Sequence, residues 1–319
     1  MATTNAQPHA VPAVTRAQAL AFRRTVQRLD VAPGTTALPD APVLDLGVQD
    51  TGPDGALWAL AVRGVAVDDP WEDLALAWTL RGGPHAYRRA DLPGVAHALV
   101  PMSAADAAKR VFDAARPLRA AGIPLPRAWV EVARAHAAVV TAPTVKGEVS
   151  ARLTATLPEP YRRWCRPCQA IHLYEQTFRL PALHAGITLE PGTSPPVLTP
   201  ASGRPTDHLD GFETLVRMPY AERGVPPHLD PVRAYLHMLG PARPADVTAY
   251  LDAPAADVRH RWTELTTAGE LAEVLVDGER RWVLASDLAA LVSAPTEHPP
   301  RRCGCSRRST PGCRRATAS

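Results

Sequence analysis

The chain has 319 residues, 46% of them apolar, which suffices for two or three modules with buried cores and argues against global disorder. No apolar run approaches the roughly 18 residues of a membrane span, and the first residues lack a signal peptide's basic start and apolar block, so the expected location is the cytoplasm. The net charge of +3 hides a split, because residues 301–319 carry six arginines and no acid and leave residues 1–300 at −3. Any grip on a polyanion must then come from local basic clusters.

Residues 1–14 are expected to be disordered. A first unit is expected over residues 15–102. It opens with a helix in TRAQALAFRRTVQRL, where Ala19, Phe22, Val26 and Leu29 share a stripe. A second helix, PDGALWALAVRG, stops at Gly64. LALAWTL and HAYRR flank Arg81-Gly82-Gly83-Pro84 and predict a hairpin with a glycine tip. Its arms would present Arg81, His85, Arg88 and Arg89 as a basic wing for a groove or backbone; the other reading is a solvated turn.

Residues 103–200 are expected to form a second, degenerate unit. SAADAAKRVFDAARPLRAAG and PRAWVEVARAHAAVV are helical by alanine content and periodicity, GEVSARLTATL is a further helix, and Trp164 to Leu198 predicts strands and turns. Residues 201–228 predict a linker with a short strand, FETLVRM.

The clearest unit is 229–292. Asp230 can cap a helix with Pro231 at its first position, and Gly240-Pro241 stops it. A second helix starts near Pro244, and a third, AADVRHRWTEL, ends at Gly269. The Asp277-Gly278 turn between ELAEVLV and ERRWVL predicts a hairpin. Three helices and a hairpin in about 60 residues make a winged-helix arrangement. Val258, Trp262 and Leu265 fall on the core side of the third helix, which turns Arg259, His260 and Thr263 outward; with Arg261 these are the candidate DNA contacts. The alternative is a solvated face of a protein-interaction unit.

Cys165-x-x-Cys168 with His172, and His184 further on, is half of a structural zinc set, since such sites want four ligands. The pair therefore predicts buried thiols in a strand-rich region and no metal. No Gly-x-Ser-x-Gly elbow, P-loop, dinucleotide fingerprint or His-Glu-x-x-His is present, so no cofactor is expected.

VLDLGVQDTGPDGALWALAVRG followed by AWTLRGGPHAYRRADL resembles the opening unit of the AlkZ-like family of DNA glycosylases. WCRPCQAIHLYEQTFRLPALHAGI is similar to that family's central region, and DPVRAYLHMLGPARPADVTAYLDAPAADVRHRWTEL to its third winged helix. The resemblance covers about residues 15–290 in order. It implies an α+β, mainly helical fold of tandem winged-helix units around a concave basic channel, with double-stranded DNA as partner and a monomeric state. It also implies excision of alkylated purines through a motif of Gln, an apolar residue, then Gln or Asp. The matching positions are Gly47, Val48 and Gln49, so the first glutamine is absent. Gln49 and the neighbouring Asp50 are the candidate catalytic residues: an amide can orient a water, and a carboxylate can act on that water or on a developing cation. The rival reading is a DNA-binding or regulatory protein without catalysis.

Residues 293–319 predict a tail. RRCGCSRRSTPGCRRATAS lacks apolar periodicity, holds three of the five cysteines, and has the composition of GC-rich coding DNA read out of frame. The other reading is a disordered basic segment.

Overall fold

Thr15 opens the first helix: its hydroxyl accepts the Gln18 N–H, and the Gln18 side chain accepts the Thr15 N–H in return. The computed structural model describes residues 10–52, 54–203 and 207–296 as an α+β protein. The N-terminal cap separates strand β1 (Ala13–Val14) from helix α1 (Arg16–Val26). Residues 13 and 14 are thus ordered, and Leu29 lies past the helix and is exposed, against the expected stripe. The expected frameshifted tail falls, from residue 297 on, outside the described residues.

Strand β2 (Val48–Gln49), helix α2 (Gly55–Ala61), strands β3 (Leu74–Trp78) and β4 (Pro84–Arg88), and helix α3 (Leu92–Ala98) follow. Next come helices α4 (Ala104–Arg110), α5 (Ala115–Ala120) and α6 (Leu125–Val139), strand β5 (Thr144–Val145) and helix α7 (Lys146–Thr156). Strands β6 (Arg162–Cys165) and β7 (Ala170–Leu173) precede helix α8 (Glu175–His184), strands β8 (Ile187–Leu189) and β9 (Val197–Pro200), and helix α9 (Phe212–Arg217).

The β3–β4 hairpin forms as expected, as part of a larger sheet. Six strands make one sheet in the order β2-β4-β3-β8-β9-β5, with Leu76 of β3 opposite Leu189 of β8. This sheet crosses the boundary expected at residue 102. All of β3 is buried, because LALAW is apolar on both faces, the mark of a strand covered on both sides. Leu74, Leu76 and Trp78 face the main core with α6 and α8, whereas the small Ala75 and Ala77 admit α3 against the other face.

Two further expectations are corrected. Glu175–His184 is a helix despite Pro181, since Tyr174 and the apolar residues Phe178, Leu180 and Leu183 give it a core-facing side. FETLVR is also a helix, with Phe212 and Val216 buried. Nor is the segment around it a loose linker: the buried Arg223 guanidinium donates to the carbonyls of Val100, Pro101 and Met102, locking residues 218–223 against the start of α4.

Helix α6 carries a fully buried His136, whose Nε2–H donates to Phe178 O at 2.7 Å and whose Nδ1 has no hydrogen-bond partner among the described residues. Burial pulls this ring down to about 4. Its unfolded value is about 6.5, so between those limits the unfolded chain binds the extra proton. Stability therefore falls as pH drops from about 6.5 towards 4, by about 3 kcal/mol for this group, and no further below. Denaturant midpoints at pH 7 and pH 5 check this. His136→Gln should flatten the slope, leaving the share of the equally buried His184, which burial also holds well below the usual range. An unchanged slope in the variant contradicts the assignment.

The last unit matches its local signals. Asp230 Oδ1 accepts the Val232 N–H at 2.9 Å and caps helix α10 (Pro231–Leu239). Helices α11 (Pro244–Leu251) and α12 (Ala255–Thr267) follow, then strands β10 (Leu271–Val276) and β11 (Glu279–Leu284), joined at Asp277-Gly278 with both residues left-handed, and helix α13 (Leu288–Val292). Val258, Trp262 and Leu265 are buried as expected. The hairpin is covered on both faces, however. Trp282 and Leu284 meet α10–α12, while Val274 and Val283 meet Phe22 of α1 and Leu291 of α13. β1 extends it in parallel, so residues 13–26 belong to this unit and not to the first. No helix among the described residues is long and apolar enough to cross a membrane.

Candidate nucleic-acid interface

Gln49 sits on β2, an edge strand, and is exposed. It lies opposite His85 in the β2–β4 register, so the two side chains share a face of the sheet. The next residue, Asp50, donates its N–H to Pro84 O at 2.9 Å, and its Oδ1 accepts the Ala56 N–H at 3.0 Å. One carboxylate oxygen thereby fastens the first turn of α2 to the end of β2. Burial holds His85 below the usual histidine range, partly opposed by Nδ1–H donating to Gly83 O at 3.0 Å. It is a neutral ring near pH 7.

Gly47 has φ +78°, and a Cβ there would stand 2.3 Å from Cζ of Tyr87. The Tyr87 ring is buried, and its hydroxyl donates to Thr79 Oγ1 at 3.0 Å. The volume that a side chain at 47 would need is therefore occupied by a phenol from β4.

Just before Gly83 the chain turns sharply, with Arg81 and Gly82 both left-handed. Arg179 donates to Gly82 O, and Arg81 Nη1 donates to Tyr250 O at 2.7 Å, tying this turn to α11 across the cleft between the six-stranded sheet and the last unit. That cleft holds a pocket of about 240 Å³ with an apolar floor of Trp129, Leu180 and Leu183 and with Arg81, Lys109 and Asp252 among its lining. Lys109 and Asp252, ion-paired at 2.9 Å, also line a groove of about 600 Å³ over α11, α12 and the hairpin. The groove adds Arg243, Arg259 and Arg280. Arg243 is paired with Asp246 and Arg280 with Glu273, whereas Arg259 makes no ion pair among the described residues. Gln49 Nε2 stands 3.7 Å from a Cβ built on Gly83, and Leu80 and Arg81 of the same turn line the 240 Å³ pocket.

The expected DNA contacts divide sharply. Arg259, His260 and Thr263 are exposed on α12, and Arg81 is exposed at the turn. Four others are engaged within the fold. Arg88 is bound by Asp45 and Asp91 and donates to the carbonyls of Pro39 and Ala41. Arg89 spends its donors on the carbonyls of Trp71, Glu72 and Leu74. His85 is buried in the sheet. Arg261 is buried against Asp230 and Glu264. Lys109, Arg243 and Arg280 were not anticipated; only the clustering of Arg243 and Arg280 around the third unit hinted at them.

An exposed amide on a sheet edge and a groove lined by Lys109, Arg243, Arg259 and Arg280 suit a polyanionic partner. More specifically, the chain belongs to the AlkZ-like family: the model described as DNA glycosylase AlkZ-like matches residues 43–305. Membership of a DNA glycosylase family makes DNA its partner. Among solved structures, Streptomyces sahachiroi DNA glycosylase AlkZ superposes with a TM-score of 0.62 at 17% identity, covering 89% of this chain and 73% of that one. At that identity the likeness speaks for the fold. No curated protein sequence matches.

Proposed function

We propose that this protein is a DNA glycosylase that hydrolyses the N-glycosidic bond of alkylated purines in duplex DNA, with the residues 229–292 unit acting as a winged helix whose α12 faces the duplex. An N7-alkylated purine already carries positive charge, so its glycosidic bond is weakened before the protein acts. What remains is to order a water at C1′ and to stabilise an oxocarbenium-like state. The Gln49 amide can accept from and donate to such a water, and the Asp50 carboxylate, held beside it by Ala56 N–H, supplies negative charge for the developing cation. The carrying observation is the exposed Gln49 amide beside the Gly83 turn, whose Arg81 lines the cleft that leads past Lys109 to Arg259.

A second reading, a DNA-binding protein without catalysis, draws on Gly47 and the Tyr87 ring behind it. Release of free base from duplex DNA carrying labelled N7-methylguanine separates the two. Gln49→Ala should slow release by about 10²-fold or more while leaving DNA affinity unchanged, because the amide acts on the transition state. Equal release by variant and wild type removes Gln49 from the chemistry, and no release by either, with DNA still bound, favours the second reading.

A further inference from the structure

The β6–β7 hairpin is an odd element. It has four residue pairs, stands as a two-stranded sheet of its own, and exposes Trp164 and Ile171. Leu173 anchors its base in the main core, but the tip beyond it is exposed, and a lone two-stranded ribbon is marginal in water. The period of two puts Trp164 and Ile171 on one face and Arg163, Cys165, Ala170 and His172 on the other. Cys168 returns towards that second face because Gln169 takes a left-handed turn at φ +51°. In consequence one ligand atom from each of Cys165, Cys168 and His172 lies within 4.8 Å of the others.

The details suit a cation. His172 Nδ1 stands 2.7 Å from Leu173 O, which can only accept, so Nδ1 carries the proton and the Nε2 lone pair is free. A backbone carbonyl fixing the far nitrogen is how metal-bound imidazoles are oriented. Zn–S and Zn–N bonds of about 2.3 and 2.0 Å set tetrahedral ligand atoms roughly 3.3–3.8 Å apart, so closure needs only small side-chain rotations.

We propose that Cys165, Cys168 and His172 bind one Zn²⁺, which staples the hairpin tip. Two thiolates and an imidazole select zinc over magnesium or calcium. Among the described residues no fourth His, Cys, Asp or Glu joins the group, so a water completes the tetrahedron. His184, the nearest other histidine in sequence, is buried in α8 and packs against Trp129 and Phe212 instead. The thiols are thus half-buried and exposed, not the buried pair that the sequence suggested.

The test uses the full chain with Cys303, Cys305 and Cys313 changed to Ser, which removes competing thiols. Metal analysis after purification under reducing conditions should find about one zinc per chain. Cys168→Ser and His172→Ala should each take it to background while the melting profile of the remainder survives, because the hairpin contributes little core. Cobalt substitution should give a thiolate-to-cobalt charge-transfer band and the intense visible bands of a tetrahedral site, both lost in Cys168→Ser. Zinc at background in the reference chain that also fails to take up added zinc or cobalt overturns the proposal, as does a Cys165–Cys168 disulfide that persists in reductant.

Discussion

Gly47→Gln, the change that would rebuild the family's paired glutamines, should destabilise the protein by roughly 3 kcal/mol or more and yield no gain in base release. Two costs add. A left-handed backbone at φ +78° strains any side chain with a Cβ, by about 1–2 kcal/mol. The Cβ would also meet the Tyr87 ring at 2.3 Å, and overpacking of this kind costs about 1–3 kcal/mol. Tyr87 cannot simply swing aside, because it is buried beneath the sheet and hydrogen-bonded to Thr79. Denaturant midpoints measure the loss. Pairing Gly47→Gln with Tyr87→Ala should be less costly than the sum of the two single changes, since the clash is removed while the backbone strain stays. A Gly47→Gln protein that is as stable as wild type and releases base faster contradicts this account of the position.

Arg261→Ala should lose about 3–5 kcal/mol of stability, whereas Arg259→Ala, two residues away, should change stability by no more than about 0.5 kcal/mol. Asp230 is 2% exposed; its Oδ2 accepts from Arg261 Nε at 2.9 Å and from Nη2 at 2.5 Å, and its Oδ1 caps α10. Deleting the guanidinium removes the nearest cation of that carboxylate and of Glu264, leaving Asp230 only the more distant Arg233 at 3.7 Å. Arg259 stands free in the groove, so its loss should weaken duplex binding and reduce the dependence of log affinity on log salt by about 1. Thermal or denaturant unfolding and binding measured across a salt series give both readouts on the same variants. Were Arg261→Ala to fold as well as wild type and lose only DNA affinity, the side chain would have to face the groove.

The contrast between these two arginines shows what was legible in the chain. Positions 258, 261, 262 and 265 follow the i, i+3, i+4, i+7 spacing of one helix face, so the periodicity that buries Trp262 also buries Arg261. The last unit was readable throughout because its signals are local: the Asp230 cap, Pro231, Gly240 and the Asp277-Gly278 turn each act within a few residues. The six-stranded sheet was not, because β3 finds β8 more than a hundred residues later and nothing near Leu76 announces Leu189. Helix α8 was hidden by Pro181, and α9 by a Thr and a Val that favour strands. Gln49 was visible only through the family resemblance. The groove around Arg259 draws on residues 109, 243 and 280, whose proximity is a product of folding.

The strand at Ala13–Val14 lies beside Leu275–Val276, and Phe22 shares a core with Val274, Val283 and Leu291. Bringing those segments together closes a loop that contains the whole six-stranded sheet. The entropy lost in such a closure grows only as (3/2)RT ln n, so the native state tolerates it, but the search for the contact is slow. On the ribosome the α1 segment emerges early and has to wait, its apolar face open, until residues 271–292 have been synthesised. The core of the last unit is consequently completed late, although its first helix is made early.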